Sequence, residues 1–341
     1  MTDFVLQITD WYRQNARILP WRSTTNPYFI WLSEVILQQT RVDQGLNYYL
    51  RFTETFPTIT DLANAEEDQV LKLWQGLGYY SRARNLHSTA KIVQENYHGE
   101  FPNNYNEILA LKGIGPYTAA AIASFAFNLP HAVVDGNVYR ILSRYFGIDT
   151  PIDSTEGKKI FQSLADELIP KDQPALFNQA IMEFGAIYCT PNNPPCENCI
   201  LLDTCASGRY GLATKRPFKA SKTKVRNRYL HYFHLVSNDE IAVRKRGSND
   251  VWEGLYEFPV IETEAPDLNP DQLPSWINDI NEVTFSAKHI LSHQRIHARF
   301  YRISTLKLEH FSDQDLQWVD HETFESLPIH RLMHKYWDQL S

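Results

Sequence analysis

The sequence predicts a mainly α-helical first domain followed by an α+β second domain. Apolar residues such as Trp31, Val35 and Val42 recur at helical spacing, and this pattern continues to about residue 205. Beyond residue 229 the hydrophobic period drops toward two, which is typical of strands. A chain of 341 residues is also too long for one ordinary hydrophobic core, so two domains are expected.

A basic segment separates the two patterns. Residues 215–228 contain seven Lys or Arg side chains and no acidic residue, which indicates a solvated linker whose charge could also follow a phosphate backbone. The sequence therefore predicts a domain over 1–210 with a cysteine loop at 189–205, a linker over 211–228 and a second domain over 229–341. In the second domain the pattern predicts strands at 229–236, 240–246 and 297–305, and a closing helix at 328–340.

Composition limits the class of protein. The net charge of −7 argues against non-specific coating of nucleic acid but not against an enzyme that acts on DNA, because a local patch attracts phosphate. No apolar run reaches membrane-spanning length, so no membrane partner is expected. The N-terminus carries no basic leader, and with its unpaired cysteines the chain is expected in the cytoplasm.

All four cysteines lie in one short stretch, as Cys189, Cys196, Cys199 and Cys205. Disulfides suit small secreted scaffolds, and this chain is large. Zinc is usually bound by two tight Cys-x2-Cys pairs, whereas here only Cys196 and Cys199 have that spacing. The wider arms favour a four-iron cluster, and zinc remains the alternative.

Two turns precede helices and carry candidate functional groups. Gly113 and Gly115 allow a tight turn before Pro116, so backbone N–H groups there could bind a DNA phosphate. The alternative is a simple helix–helix turn. Asp135 follows an apolar run and is expected to cap the next helix, where the helix N-terminus would keep its carboxylate ionised.

A third candidate lies in an aromatic-rich helix. Glu34, Gln38 and Arg41 share one predicted helical face, and Trp31 and Val35 occupy the buried face. A solvated polar face is the ordinary interpretation. However, desolvation beside the aromatic stretch would raise the pKa of Glu34 toward that of a general acid.

Several motifs in order resemble the helix-hairpin-helix glycosylases related to endonuclease III. Within them the chain is similar to the adenine DNA glycosylases, and the resemblance spans nearly the whole chain. It implies a helix-hairpin-helix domain with a [4Fe-4S] cluster on the four cysteines, and a Nudix-like second domain. The matching segments are residues 19–22, 31–40, 74–86, 111–120, 133–142 and 177–189.

The resemblance implies a role for each of four residues. Glu34 would protonate the adenine ring so that the base leaves neutral, and Asp135 would stabilise the cationic sugar. Tyr117 would lie beside the sugar and Asn137 beside the aspartate. Strand-cutting relatives carry a lysine at the position of Tyr117, and Lys112 lies on the other side of the hairpin. A monofunctional glycosylase is therefore expected.

Other matches concern DNA. The target base must leave the helix, and inserted side chains fill the space it leaves. The resemblance assigns insertion to Gln39 and to Tyr79, whose loop also contains Leu77 and Gly78, and it places Trp21, Arg22 and Gln179 around the extruded base. The hairpin glycines complete the candidate DNA contacts through the phosphate binding expected above. The full set is Trp21, Arg22, Gln39, Leu77, Gly78, Tyr79, Gly113, Gly115 and Gln179.

In the second domain the resemblance rests on residues 252–259 and 288–293. No Nudix metal box follows residue 259, so the domain is expected to recognise and not to hydrolyse. The resemblance implies that Ser292 and His293 contact 8-oxoguanine or its strand. Leu291 stands where an aromatic residue is usual just before them, a departure that argues against stacking at that position and leaves the hydrogen-bonding pair intact.

The sequence thus predicts a monomeric DNA glycosylase of base-excision repair. Its expected substrate is double-stranded DNA with adenine opposite 8-oxoguanine or guanine. Two alternatives remain: excision of an oxidised pyrimidine or mismatched thymine, and a non-catalytic binder of damaged DNA. Glu34 and Asp135 together argue against a pure binder, because two buried carboxylates beside phosphate would serve it no purpose.

Overall fold

Helices occupy most of the chain up to the cysteine loop, and several begin at a capping side chain. The computed structural model describes residues 2–220, 225–268, 273, 283–304 and 316–340. The side chains of Asn26, Asn104 and Ser154 accept hydrogen bonds from backbone N–H groups in the first turns of α2, α7 and α10. The helices are α1 (Asp3–Asn15), α2 (Pro27–Leu37), α3 (Val42–Thr55), α4 (Ile59–Asn64), α5 (Glu67–Trp74), α6 (Ser81–Tyr97), α7 (Tyr105–Ala110), α8 (Pro116–Phe127), α9 (Gly136–Phe146), α10 (Thr155–Leu168) and α11 (Pro174–Glu183).

Helix α8 packs against α2. Its residues Ala119, Ala120 and Ala121 are all buried, and Ala120 and Ala121 contribute to the core of the first unit. The packing of the two helices places the first turn of α8 within hydrogen-bond distance of α2.

The chain divides into two compact units. The first comprises Met1–Ala63 with Ser88–Ser221, and the second comprises Asn64–His87 with Lys222–Ser341. The first unit has its main core between α1 and the helices α8 to α11, where burial of aromatic and aliphatic side chains stabilises the fold. Its central members include Ile8, Ile141, Phe161, Phe177 and Phe184.

A mixed sheet forms the second unit. Strands β3, β2, β1, β6 and β5 lie side by side in that order, while β4 pairs with β1 and β7 pairs with β2. The pairing of β1 with β6 is parallel, and the other pairings are antiparallel. The elements are β1 (Arg226–Ser237), β2 (Glu240–Lys245), β3 (Tyr256–Glu257), β4 (Val260–Thr263), β5 (Phe285–Ile290), β6 (Gln294–Ser304), β7 (Leu316–Val319), α12 (His321–Ser326) and α13 (Arg331–Trp337).

One face of the sheet packs on α13 through aromatic rings. Phe300 stacks on Tyr336 at 4.5 Å between ring centroids, and Tyr232 stacks on Phe300 at 5.0 Å. The β1–β2 hairpin closes through Asn238 and Asp239, which both have positive φ and suit the tight turn such a hairpin needs.

The predicted fold class is confirmed, with a helical first part and a mixed-sheet α+β second part. Two cations of the basic segment at 215–228 pair with carboxylates of the protein, so they contribute less to the expected contact with a phosphate backbone. Arg216 pairs with Asp149 at 2.7 Å, and Arg228 is 7% exposed and bonded to Asp250 and Glu262. None of the helices described is both long and apolar enough to cross a membrane.

Candidate functional site

Glu34 lies in the middle of α2 and faces a cavity of about 460 Å³ in the first unit. Its side chain is buried, with the residue 8% exposed. Tyr117, in the first turn of α8, donates a hydrogen bond from its hydroxyl to Glu34 Oε2 at 2.6 Å. The close approach of α2 and α8 therefore brings a buried acid and a phenol together at one wall.

The electrostatics of Glu34 suit a proton donor. Burial raises the pKa of Glu34 to about 7, although the hydrogen bond from Tyr117 and the charge of Arg22 oppose that rise. Burial also raises the pKa of Tyr117 well above its ordinary value, so its hydroxyl stays protonated. Near neutral pH a substantial fraction of Glu34 therefore carries its proton.

Asp135 caps α9 and lines the same cavity. Its Oδ1 accepts from the backbone N–H groups of Asn137 and Val138 at 2.9 and 2.8 Å, and its Oδ2 accepts from the Asn137 side chain at 2.7 Å. The predicted cap is present. However, burial raises the pKa of Asp135 despite these hydrogen bonds, so desolvation opposes the expected effect of the helix N-terminus, which was to keep the carboxylate ionised.

A buried arginine connects Asn137 with the cysteine region. Arg140 Nη2 donates to Asn137 Oδ1 at 2.8 Å and to the Gly185 carbonyl at 2.6 Å, and its Nε donates to the Cys189 carbonyl at 2.8 Å. One guanidinium therefore fixes Asn137, and through it the orientation of Asp135.

Four other residues that the resemblance assigned to DNA or the extruded base line the cavity: Trp21, Arg22, Gln39 and Gln179. Tyr12 donates to Gln179 Oε1 at 2.7 Å, which leaves the Gln179 amide nitrogen as the group that can donate elsewhere. Gln39 has a φ of 57°, in the left-handed region. Helix α2 ends at Leu37 with Gln38 as its C-cap, and Gln38 lines the same cavity as Glu34. Arg41 is the N-cap of α3, so the prediction that it shares the helical face of Glu34 was wrong.

Sequence reasoning missed two charged residues at the cavity, Arg17 and Glu183. Glu183 is fully buried and accepts hydrogen bonds from Arg17 and Arg22. The available signal was one acidic residue in the apolar segment 177–188. Its partners lie more than 160 residues earlier in the chain, and nothing in the local pattern identifies them.

The hairpin glycines lie between α7 and α8 and are not among the cavity residues. Gly113 has a φ of 75°, which favours glycine, and Gly115 is the N-cap of α8. A Cβ at Gly115 would meet no atom within 4 Å, so the protein itself leaves this backbone open to approach. A role in phosphate binding stays a prediction.

The 77–79 loop belongs to the second unit. Leu77 is buried, whereas Tyr79 is 49% exposed and has a φ of 50°. The Gly78 carbonyl accepts from the Trp74 indole at 3.1 Å and from Arg82 at 3.2 Å, which fixes this strained turn. The exposed ring of Tyr79 therefore lies on a loop whose conformation is fixed by hydrogen bonds.

Tyr79 shares a second cavity, of about 440 Å³, with Ser292 and His293. Ser292 and His293 are exposed at a turn between β5 and β6, with Ser292 Oγ 3.3 Å from His293 Nδ1. Residues that the resemblance assigned to base insertion and to 8-oxoguanine recognition therefore lie together in one unit, although 213 positions separate Tyr79 from Ser292 (292 − 79).

The four cysteines line one apolar cavity in the first unit. All are free thiols of intermediate burial, and Arg144 Nη1 lies 3.3 Å from Cys189 Sγ. Across the described part of the chain, no three His, Cys, Asp or Glu side chains form a group that could hold a metal ion. The four cysteines thus surround a common space in the first unit.

Two family descriptions match the chain in the order of its units. Residues 32–169 match the HhH-GPD superfamily base excision DNA repair protein, and residues 231–339 match the NUDIX domain. The adenine DNA glycosylase of Buchnera aphidicola subsp. Baizongia pistaciae is 35% identical over 320 residues, covering 92% of this chain and 89% of the relative. The chain belongs to the adenine DNA glycosylases.

Solved structures agree with that membership at the level of fold. A thermostable thymine-DNA glycosylase is 32% identical with a TM-score of 0.57, over 61% of this chain and 95% of that one. A non-covalent endonuclease III–DNA complex, 23% identical with a TM-score of 0.53 over the same shares, shows the fold alone. Together with the family match, the curated relatives support a DNA glycosylase of base-excision repair that acts on N-glycosyl bonds.

Proposed function

We propose that this protein hydrolyses the N-glycosidic bond of adenine paired with 8-oxoguanine or guanine in double-stranded DNA. The observation that carries the proposal is the buried Glu34, hydrogen-bonded to Tyr117 inside a cavity that also contains Asp135. A carboxylic acid and a second carboxyl group on one cavity are the pair that glycosidic bond cleavage requires.

Glu34 acts as the general acid. Its carboxyl proton passes to a ring nitrogen of adenine as the C1′–N9 bond breaks, and the bonding electrons leave with the neutral base. The sugar becomes cationic, and the Asp135 carboxylate stabilises it. Water then adds to C1′ and releases one proton, which returns Glu34 to its acid form. No external oxidant or reductant is needed.

The cavity lining argues for a monofunctional enzyme. A glycosylase that also cuts the strand uses an amine to form a Schiff base with the sugar. Arg17 and Arg22 are the basic residues of the described lining, which contains no lysine, and Tyr117 offers a hydroxyl with a strongly raised pKa. The expected product is an abasic site in an intact strand.

The second cavity supports recognition of the opposite base. An 8-oxoguanine carries an N7–H donor where guanine has an acceptor, so a hydroxyl such as that of Ser292 can accept from the oxidised base. Tyr79 offers an exposed ring on the same cavity for insertion into the base stack. Ser292 therefore supplies the preference for 8-oxoguanine, and Tyr79 helps hold the extruded state.

The cysteine cavity supports a [4Fe-4S] cluster. Its donors are four thiols in an apolar lining, and the spacing of the cysteines along the chain favours a bulky cluster over one zinc ion. Cys189, Cys196, Cys199 and Cys205 would hold it. When bound, the cluster would fix the conformation of the loop over residues 190–204, and the glycosidic chemistry remains with Glu34 and Asp135.

The test is a panel of duplexes with adenine opposite 8-oxoguanine, adenine opposite guanine, and thymine glycol. We expect base release from the first two, with strand breaks appearing only after alkali. Release of thymine glycol, or strand breaks without alkali, would contradict the proposal. We further propose that the protein acts as a monomer in the cytoplasm, and light scattering after size exclusion tests its mass in solution.

A further inference from the structure

Glu183 is the last residue of α11, and its carboxylate is fully enclosed at the catalytic cavity. Its Oε1 accepts from Arg17 N and Nε at 3.0 and 2.7 Å. Its Oε2 accepts from Arg17 Nη2 and Arg22 Nη2, each at 2.6 Å. Both oxygens are therefore fully used by two guanidinium groups and one backbone N–H, and Glu183 has no capacity left for a substrate.

The two arginines are less buried than the residue that holds them. The Arg17 side chain is 33% exposed and that of Arg22 is 16% exposed, and both line the cavity. Arg22 Nη1 also donates to the Arg17 carbonyl at 3.1 Å, and its guanidinium lies over the Tyr12 ring at 5.6 Å. The pair is thus fixed as one unit with a face toward the cavity.

Stability alone is a weak reason for this cluster. A buried ion pair usually contributes little net free energy, because desolvation offsets the attraction. Here one carboxylate is shared by two guanidinium groups, so it cannot balance both of their positive charges, although the charge of Asp43 also acts on Arg17. The position of that excess charge matters, because the charge of Arg22 already favours the ionised form of Glu34.

We propose that Glu183 is a positioning residue that orients Arg17 and Arg22 toward the extruded adenine and limits their positive charge beside Glu34. This inference rests on the proposed function, since it assumes a base in the cavity and an acid that must keep its proton. The charged and titratable groups that act on Glu34 are Tyr117, Asp135 and Arg22. Glu183 faces Arg17 and Arg22, with Tyr12 close by.

The pH dependence follows from the charges. Glu183 is ionised, because hydrogen bonds from Arg17 and Arg22 lower its pKa to about 2 even though burial opposes the ionised form. In Glu183→Gln the guanidinium charges lose their partner, and the added field stabilises the Glu34 carboxylate. The pKa of Glu34 then falls, so the fraction that carries a proton declines at a lower pH than in the wild type.

The experiment measures single-turnover adenine release by the full chain from a duplex with adenine opposite 8-oxoguanine, across the pH range. For Glu183→Gln we expect a loss of roughly tenfold or more at neutral pH, since small misplacements in a site are costly, and a midpoint of the alkaline limb at lower pH. Glu107→Gln, a change at an exposed glutamate of the same unit, serves as the matched control.

The variant Glu183→Asp separates the effect of the negative charge from the effect of side-chain length. It retains the negative charge and withdraws it by one methylene, so the midpoint should stay at the wild-type pH while the rate falls. If circular dichroism shows that Glu183→Gln does not fold, the result for Glu183→Asp decides. An unchanged rate of adenine release by Glu183→Asp then overturns the proposal. A folded Glu183→Gln with wild-type rate and midpoint, or with equal losses at every pH, also overturns it.

A substrate-free measurement keeps this inference apart from the proposed function. Carbon-13 NMR of labelled glutamate carboxyls reads the titration of Glu34 in the full chain without DNA. If the wild type releases no adenine, the proposed function fails, and the NMR titration still tests the charge effect of Glu183. A Glu34 titration unmoved by Glu183→Gln overturns the electrostatic part whatever the substrate.

Discussion

Glu34 in the first unit and Glu257 in the second are both buried glutamates, yet their proton affinities are opposite. Burial raises the pKa of Glu34 to about 7, and its direct partner is the neutral hydroxyl of Tyr117. Burial acts in the same direction on Glu257, but a hydrogen bond with His330 and the charge of Arg246 bring its pKa down to about 2.

The difference shows that the partner, more than the burial, decides the protonation state. Glu257 accepts from Arg246 at 2.6 Å and from Arg244 at 2.9 Å, so it is a permanent anion in an ion-pair network. The hydrogen bond that the structure gives Glu34 comes from a phenol, and a proton on its carboxyl is therefore available for transfer. Glu183, at the same cavity as Glu34, is bonded to arginines and resembles Glu257 in its low pKa.

The largest expected effect is on catalysis, from Glu34→Gln. An amide cannot transfer a proton, and general acid catalysis contributes about 10²–10⁴-fold. We expect adenine release under single-turnover conditions to fall by that order while the melting temperature stays within a few degrees, because the buried group has no ion pair to lose. Retention of a rate close to that of Glu107→Gln would remove Glu34 from the acid role.

Glu257→Gln should show the reverse pattern. Removal of the anion takes the ion-pair partner from Arg244 and leaves Arg246 with Asp250 alone, and breaking a buried pair typically destabilises by about 3–5 kcal/mol. Urea unfolding of the full chain, followed by hydrogen exchange at β1 amides, measures the loss. A change in the free energy of unfolding below about 1 kcal/mol would show that the network does not depend on this carboxylate.

The sign of the pH dependence also separates the two glutamates. The folded-state pKa of Glu257 is about 2, below its ordinary 4.5, so its stabilisation is present above about pH 4.5 and is lost as the pH falls toward 2. That acid-sensitive component should disappear in Glu257→Gln. The pKa of Glu34 is raised from 4.5 to about 7, so its effect on stability runs the other way: stability falls as the pH rises from about 4.5 to 7 and then levels off. Its ionisation around and above pH 7 removes the catalytic proton and so reduces activity.

Local sequence predicted much of the environment of Glu34 and Asp135 in the first unit, but not that of Glu257 in the second. The aromatic stretch around Glu34 predicted its desolvation, and the capping position of Asp135 followed from the apolar run before it. The end of α2 at Leu37 was not predictable, because no glycine or proline marks it and the break depends on the positive φ of Gln39.

Most features of the site that the sequence did not predict depend on contacts between residues far apart in the chain. Glu183 was missed because its partners Arg17 and Arg22 come from another part of the chain. In the same way, the loop with Tyr79 packs in the second unit, although its neighbours in sequence are helices like those of the first. Local periodicity reports which face of an element is buried, and it carries no information about which distant charge covers that face.

The smallest expected effect comes from Tyr117→Phe, which removes the one hydrogen bond to Glu34 and leaves the ring. That bond favours the ionised carboxylate, so its loss raises the pKa of Glu34 further. The alkaline limb of the rate profile should therefore move to higher pH, opposite to the shift expected for Glu183→Gln. The rate at the plateau should fall by about tenfold or less, since one hydrogen bond contributes about 0.5–1.5 kcal/mol.

Tyr117→Phe and Glu183→Gln are expected to shift the midpoint of the alkaline limb in opposite directions. Together they test which neighbours set the pKa of Glu34. A double variant of Glu183→Gln and Tyr117→Phe should bring the midpoint back toward the wild-type pH, because the two changes act on the same carboxyl with opposite sign. If both single variants move the midpoint in one direction, the group that titrates is not Glu34. The carbon-13 titration of labelled glutamates would then show which carboxyl controls the rate.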